Sequence, residues 1–200
     1  NAIYSLSNFS TEVADQVIAT EDSVDTMEVE IDHELSSIIA RRQPTARDLR
    51  LLIAISKATA NLERVGDEAE KVARMVKSII QSGAARSLPS SELRISAEKA
   101  SGMLRKALDS FARLDVAAAV SVLKEDDYID REFDGFVRKL VTYMIEDPRT
   151  ISACLDLLFL AKAIERIGDH AKNIAELIIY IVKGTDVRHT SIEQIESAVK

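Results

Sequence analysis

A five-residue phrase occurs twice in this chain, and the repeat constrains the fold more than any other feature. Glu-Arg-Val-Gly-Asp occupies residues 63–67, and Glu-Arg-Ile-Gly-Asp occupies residues 165–169. The copies are 102 residues apart (165 − 63 = 102), about half of the 200-residue chain. Self-similarity at a fixed distance is typical of a duplicated structural unit. The sequence therefore predicts two similar domains of roughly 100 residues each.

The composition favours helices in both units. Aromatic residues make up only 4% of the chain, Trp is absent, and there are 6 Gly and 3 Pro. Ala, Leu, Ile, Val, Glu, Lys and Arg dominate, as they do in packed amphipathic helices. Apolar residues recur at steps of three and four along 62–79 and, shifted by 102, along 164–181. We expect an all-α protein in which both segments are core-facing helices of a bundle.

A second apolar stripe precedes each of these helices. The second-half stripe lies within residues 129–144. The first-half stripe comprises Val24, Met27, Ile31, Leu35 and Ile38. Both stripes have the spacing of one helical face and are predicted to face the core.

Helix-breaking residues divide the chain into two units. Pro44 and Pro148 each separate two long helices, and the stretch 81–91 has the Gly, Pro and Ser content of an interdomain linker. Thr45 with Asp48, and Ser191 with Gln194, have the spacing of helix caps. We expect a first three-helix bundle at 1–82 with a truncated first helix, a linker at 83–90, a second three-helix bundle at 91–184 and a C-terminal tail at 185–200.

Charge and cysteine content exclude several classes of protein. The formal net charge of −7 disfavours nucleic acid as a partner, because affinity for a phosphate backbone comes from Lys and Arg. Cys154 lies in an apolar run and is predicted to be buried and inert, which indicates a reducing, cytosolic setting. The apolar stretches 154–160 and 177–182 are far shorter than the ~20 residues that span a bilayer.

Each half of the chain carries two acidic pairs with the spacing Glu/Asp-x-x-x-Asp. Residues four apart lie on one face of a helix, so each pair can present two carboxylates together. The pairs are Glu28 with Asp32, Glu63 with Asp67, Asp130 with Asp134, and Glu165 with Asp169. The 102-residue shift relates the first two pairs to the last two. Because the pairs lie off the apolar stripes, we expect both clusters on the bundle surface and not in the core.

The acidic pairs have the chemistry of a metal site. Like charges on one helical face repel each other, and a bound cation would remove that repulsion. Ligation by oxygen alone suits Mg, Mn or Fe, whereas Zn normally takes more His or Cys. Asn173 stacks on the face of 165 and 169 and is a candidate additional ligand. His170 points ~100° away from that face and is expected to be a surface residue.

The spacing alone leaves three interpretations open. Acidic pairs beside basic neighbours such as Arg64 and Lys172 are also typical of a solvated helical surface. A metal-dependent hydrolase or phosphatase would use the same clusters, although the sequence lacks a Gly-rich phosphate loop and the Glu-x-x-His of di-iron bundle enzymes. A non-enzymatic, metal-binding adaptor is the third interpretation, and the spacing alone does not choose among the three.

Longer segments resemble the PhoU family, the accessory and regulatory proteins of the bacterial phosphate-specific transport system. The resemblance covers nearly all of the chain from Met27 to His189. It rests on MEVEID at 27–32, ARRQPTARDLRLL at 40–52, LERVGDEAEKVARM at 62–75, LVTYMIEDPRTI at 140–151 and IERIGDHAKNIAELIIYIVKGTDVRH at 164–189. The family's first helix is normally much longer than the stretch before Asn8 in this chain.

The resemblance implies two tandem three-helix bundles that hold metal ions, in some members as multinuclear iron or zinc clusters. By position, the metal-binding role falls to Glu28, Asp32, Glu63, Asp67, Asp130, Asp134, Glu165 and Asp169. The ion is expected to be a divalent or trivalent Fe, Zn, Mn or Mg, with no catalytic residue implied.

The resemblance also implies partners and a location. The chain is similar to proteins that are cytoplasmic, often homodimeric, and peripheral to the inner membrane through their partners. Those partners are the phosphate transporter's ATPase subunit and a membrane sensor histidine kinase. We therefore expect a negative regulator of the phosphate-starvation response that acts in phosphate uptake and phosphate homeostasis and is not an enzyme.

Overall fold

The computed structural model describes residues 1–83, 89 and 91–199, with side chains up to residue 197. These residues contain seven α-helices and one 3-10 turn. The helices are α1 (Ala2–Asn8), α2 (Thr11–Arg42), α3 (Ala46–Gln81), α4 (Ser91–Arg113), α5 (Val116–Glu146), α6 (Ile151–Lys183) and α7 (Ile192–Val199), with the 3-10 turn at Pro148–Thr150. Apart from Gly83 and Pro89, the predicted linker 83–90 lies outside these residues. Among the described helices, none is both long and apolar enough to cross a membrane.

The helices form two three-helix bundles in tandem. Helix α2 packs along α3 beside the short α1, and α4 and α5 pack along α6. Helices α3 and α6 also pack against each other and join the two bundles. The all-α, duplicated fold predicted from the sequence is confirmed.

The turn that begins α2 has a counterpart at the start of α5. Phe9 and Leu114 both adopt the left-handed conformation, with φ of 47° and 52°. The residue after each is the N-cap, Ser10 or Asp115, whose side chain accepts a hydrogen bond from the backbone N–H three residues further on. The two turns are 105 residues apart (115 − 10 = 105). The duplication therefore has an offset of 105 at this turn and of 102 at the repeated phrase.

The predicted apolar stripes are buried to different degrees. Ile174, Ile178 and Ile181 of α6 are completely buried, and Cys154 is buried as predicted. The stripe of α2 differs from its prediction, because Met27 is 51% exposed and Ile31 is 38% exposed. Helix α1 has only 7 residues against the 32 of α2, and it packs on α3, α2 and α4. The middle of α2 therefore packs on α3 but is not covered by α1.

One of the two predicted helix caps is present. The Ser191 hydroxyl accepts a hydrogen bond from the backbone N–H of Gln194, whose side chain accepts one from the backbone N–H of Ser191. Thr45 is the N-cap residue of α3, but the predicted hydrogen bonds of a capping box between the side chains and backbone of Thr45 and Asp48 are wrong. Asp48 N–H donates to the Thr45 carbonyl at 3.1 Å, and the Thr45 hydroxyl makes no capping bond.

Polar contacts connect the two bundles at both ends of the α3–α6 interface. The Ser78 hydroxyl donates to the Asp156 carboxylate at 2.7 Å. At the other end, Arg50 Nη2 donates to the Ile181 carbonyl at 3.3 Å, beside Gly184, where α6 ends in a left-handed residue. A guanidinium is favourable there because the C-terminus of a helix carries partial negative charge.

Candidate metal centre

Glycines bring the helices of each bundle close together beside the acidic residues. A Cβ added to Gly168 would lie 3.5 Å from Ile129 Cγ2, and one added to Gly66 would lie 3.4 Å from Val24 Cγ1. Val24 and Ile129 are 105 residues apart (129 − 24 = 105), like the two helix-starting turns. The glycines thus mark equivalent points where α2 crosses α3 and where α5 crosses α6.

Three carboxylates converge at this point of the second bundle. Asp126 and Asp130 lie one turn apart on α5, and Asp169 follows Gly168 on α6. One oxygen from each of the three lies within 4.8 Å of the others. Asp126 is only 1% exposed. The cluster therefore reaches into the bundle through Asp126, which was not among the predicted residues, whereas Asp130 is exposed and Asp169 is partly buried.

Lysines partly neutralise this cluster. Lys172 Nζ lies 2.6 Å from Asp126 Oδ2, while Asp126 Oδ1 is buried without a hydrogen-bond partner. Lys162 Nζ donates to Glu165 Oε1 at 2.7 Å, one turn from Asp169. A buried charge is costly unless it is paired and hydrogen-bonded, so Asp126 is only partly satisfied by its lysine.

Two carboxylates of the cluster, Asp130 and Asp169, have pKa values above their ordinary range. Burial, and then the neighbouring charge of Glu165, raise the pKa of Asp169 to about 6, against a weaker opposing effect of Lys162. Burial and then Asp126 also raise the pKa of Asp130. Both the low-dielectric surroundings and the like charges disfavour the ionised form. The metal-free cluster therefore resists full ionisation.

The donor set fits a hard metal ion. Metal–oxygen distances are ~2.0–2.6 Å for Mg and Ca, so two oxygens on opposite sides of one ion are ~4–5 Å apart. The three-carboxylate group, with separations of at most 4.8 Å, meets this limit. Asp126 Oδ1 is in addition a buried acceptor without a donor. These residues could hold a metal ion through oxygen ligands alone.

The first bundle gathers carboxylates at the equivalent place. Burial, then Asp67, then Glu28 and Asp25 raise the pKa of Glu63. Burial and then Asp25 raise the pKa of Glu21. Glu63 and Asp67 belong to α3 and the other three to α2, so both helices contribute to one acidic patch.

The structure places the remaining predicted site residues as follows. Asp32 accepts a hydrogen bond from the Ser56 hydroxyl at 2.8 Å, two turns along α3 from Glu63. Asp134 is exposed, and it is not a member of the three-carboxylate group. Asn173 Nδ2 donates to Asn61 Oδ1 at 3.1 Å.

His170 departs from the prediction that it would be a simple surface residue. It is half-buried, and its Nδ1 lies 2.9 Å from Asn61 Oδ1. The helix of Asn61, α3, packs directly on α6, and this contact covers a side of α6 that sequence reasoning treated as solvent-exposed.

Sequence reasoning missed Asp126, Asp25 and Glu21. Shifting Glu21 and Asp25 by 105 gives Asp126 and Asp130 (126 − 21 = 105, 130 − 25 = 105). The signal was the pair of helix-starting turns, Phe9-Ser10 and Leu114-Asp115, which have the same offset. The 102-residue offset of the repeated phrase does not align these residues with one another.

Fold and site together define a class of protein: a duplicated helical bundle in which carboxylates gather where two helices of each unit cross. A sequence profile of the PhoU domain matches residues 1–76 and 93–178. The chain belongs to the PhoU family, and the predicted resemblance is confirmed.

Individual relatives match along most of their length. The chain is 52% identical over 196 residues to a phosphate-specific transport system accessory protein PhoU homolog of Burkholderia sp, which covers 98% of this chain and 83% of the relative. It is 44% identical over 200 residues to the accessory protein PhoU of Escherichia coli (strain K12), with coverage of 98% and 80%.

Solved structures have the same fold. The crystal structure of PhoU from Pseudomonas aeruginosa has a TM-score of 0.82 and 44% sequence identity, and covers 92% of this chain and 88% of its own. That of the phosphate transport system regulatory protein PhoU from Streptococcus pneumoniae has a TM-score of 0.85, with coverage of 93% and 86%. At 23% identity, the second supports the fold alone.

Proposed function

We propose that this chain is a non-enzymatic regulator of phosphate uptake and phosphate homeostasis that binds metal ions and links a phosphate transporter to a sensor kinase. Family membership supports the setting, because the relatives are named accessory proteins of the phosphate-specific transport system. The observation that carries the metal-binding part is the three-carboxylate group with its unpartnered, buried Asp126 oxygen.

We assign the proposed ligands by the packing of the helices. In the second bundle, Asp126, Asp130 and Asp169 hold the ion, with Glu165 one turn away. In the first bundle, the ligands come from α3 and α2 and comprise Glu63, Asp67, Glu21, Asp25 and Glu28. Asp32, Asp134 and Asn173 stay predictions from the sequence that no observation in the structure supports. The oxygen ligands suit Fe, Mn or Mg, and Zn is the fourth candidate.

The chain's own residues set the charge of this surface. Without an ion, Lys172 compensates Asp126. Burial first, and then the neighbouring carboxylates, keep the pKa values of Asp130 and Asp169 raised. A bound cation supplies positive charge that the carboxylates can share. Without the cation the patch repels acidic surfaces, and with it the patch can bind them. Metal binding and partner binding are therefore coupled.

The proposed partners are the transporter's ATPase subunit and a membrane sensor histidine kinase. Through them the protein acts on the cytoplasmic side, peripheral to the inner membrane, as a homodimer that keeps phosphate-starvation genes off when phosphate is plentiful. This part of the proposal rests on the family resemblance and on the names of the relatives.

The proposal is tested in cells whose own copy is deleted and which carry a phosphate-starvation reporter. The wild-type chain is expected to keep the reporter off in high phosphate and to copurify with the transporter. A variant with Glu63→Gln, Asp67→Asn, Glu165→Gln and Asp169→Asn is expected to lose both properties. The control variant carries Glu30→Gln, Glu34→Gln, Glu98→Gln and Asp109→Asn, which remove the same charge from exposed positions and should leave both properties intact.

The same variants separate this proposal from an enzyme. Purified wild-type protein is offered a phosphoester together with each candidate metal. Turnover that disappears in the cluster variant and persists in the control would contradict the non-enzymatic assignment. Full repression by the cluster variant would instead remove the clusters from the regulatory mechanism.

A further inference from the structure

A continuous groove runs along one side of the α3–α6 interface. It consists of two neighbouring cavities of about 750 and 430 Å³ that share Arg64, Asn173, Glu176 and Arg188 as walls. We call it the seam groove. Asp67 of the first acidic patch and Asp169 of the second both line its larger part. The groove therefore lies between the two clusters and opens on the same side of the molecule.

The duplication is asymmetric inside this groove. Arg64 and Arg166 occupy equivalent positions (166 − 64 = 102), and Arg166 Nη1 lies 3.4 Å from the buried carboxylate of Glu68. The equivalent of Glu68 is His170 (170 − 68 = 102), so Arg64 lacks the carboxylate that its counterpart has. Among the described residues, no carboxylate forms an ion pair with the exposed Arg64. One guanidinium in the groove is thus left unneutralised.

A second cation without an ion pair among the described residues lies on the same wall. Lys57 precedes Arg64 by seven residues, two turns of α3, which places the two side chains on one face with origins ~10.5 Å apart. The exposed Lys57 ammonium lies 6.0 Å from the centre of the Tyr180 ring, and none of the described carboxylates pairs with it within 4 Å. Arg188, in contrast, is held by Asp186.

The groove also contains carboxylates that limit what can enter it. Burial raises the pKa of Glu176 despite the opposing effect of Lys172, and Glu68 is neutralised by Lys71 at 2.8 Å. Among the described cations that line the groove, Lys57 and Arg64 are the two without an ion pair within 4 Å. The pKa of Asp186, which lines the same cavity, is lowered mainly by Arg188 and further by Lys57. Asn61 lies between Lys57 and Arg64 in the sequence. Its side-chain oxygen accepts a hydrogen bond from the side-chain amide of Asn173 across the α3–α6 interface.

We propose that the seam groove binds an extended acidic segment of a partner protein through two carboxylates that contact Lys57 and Arg64. A polyproline II segment has three residues per turn and rises ~3.1 Å per residue, so acidic residues three positions apart lie on one side of it and ~9 Å apart, close to the separation of the two cations. A single small oxyanion would engage only one of them. The proposal deepens the adaptor function proposed above, because it names the surface and the chemistry of the partner.

The test uses the full chain, treated with a chelator, and a synthetic twelve-residue peptide with two Asp three positions apart in an uncharged background. Binding is followed by NMR, and the side-chain amide signals of Asn61 and Asn173 are expected to shift. The double variant Lys57→Gln/Arg64→Gln is expected to bind about tenfold more weakly. The matched variant Arg94→Gln/Arg138→Gln loses the same charge from exposed positions outside the groove and should bind as the wild type does.

Three results would overturn the proposal. They are the absence of binding, an equal loss in both double variants, and equal binding of a peptide with Asn in place of Asp. Displacement of the peptide by inorganic phosphate, with dependence on Arg64 alone, would assign the groove to a small oxyanion instead. If the peptide fails to bind but metal uptake and repression are normal, only the groove proposal is wrong.

Discussion

At the residue scale, the second-bundle cluster is an incompletely compensated group of charges. Asp126 is almost fully buried, and only one of its oxygens is paired, with Lys172. Asp169 shares the site and has its pKa raised to about 6, first by burial and then by Glu165. Such a group destabilises the folded protein at neutral pH, because the charged form is favoured more in the unfolded chain.

Replacing Asp169 with Asn is expected to stabilise the metal-free protein at neutral pH. A carboxyl whose pKa is raised on folding contributes most to stability below its unfolded pKa, near 4, and that contribution is lost as pH rises through about 6. Asn cannot ionise, so at pH 7.5 the free energy of unfolding should rise by about 1–2 kcal/mol, reduced from the full linkage value by solvent screening.

The measurement is urea unfolding in the presence of a chelator at pH 7.5 and pH 4. The advantage of Asp169→Asn should shrink to near zero at pH 4, and the control Asp109→Asn, at an exposed site on α4, should show little effect at either pH. A variant that is less stable than the wild type at pH 7.5 would contradict the account.

At the element scale, the two halves of the chain differ in the length of one helical hairpin. From Val24 to Gly66 there are 42 residues (66 − 24 = 42), and from Ile129 to Gly168 there are 39 (168 − 129 = 39). The difference is close to one turn of α-helix. The acidic pairs of α3 and α6 were readable from the sequence because the repeated phrase contains them. The acidic residues that face them from α2 and α5 could not be aligned in this way. The first hairpin is three residues longer than the second, so the offset between equivalent residues of α2 and α5 is 105 and not 102.

The crossing glycines can be tested by adding a methyl group. Gly168→Ala would place its Cβ at ordinary contact distance from Ile129, 3.5 Å from the nearest atom, and Ala is favoured over Gly inside a helix by ~1 kcal/mol. We expect the variant to be more stable by up to about 1 kcal/mol, with unchanged metal uptake. Gly66→Ala should gain less, because its nearest contact is 3.4 Å.

Thermal unfolding of both variants checks this expectation. A loss of more than about 1 kcal/mol in Gly168→Ala would show that the helices cannot separate even slightly. The glycine would then be required for close approach at the metal site, and its low helix propensity would be explained by that requirement.

At the scale of the whole molecule, the α3–α6 interface joins the bundles and forms the seam groove. The tandem-bundle fold could be predicted, since apolar periodicity and helix breakers are local patterns. The packing of α3 on α6 could not, because contacts such as Ser78 with Asp156 join residues far apart in the chain. The same packing explains why His170 is half-buried and why the acidic patches open on one side.

The central claim is that carboxylates gathered where the helices cross bind metal ions. The most direct test measures metal bound per chain after loading with iron, manganese, magnesium or zinc and removal of free ion. The compared proteins are the wild type, Asp126→Asn/Asp130→Asn, and the control Glu98→Gln/Asp109→Asn, which has the same charge change at exposed positions on α4. We expect the first variant to lose the second-bundle metal and the control to retain the wild-type amount. Equal metal content in all three proteins, or none in the wild type, would contradict it.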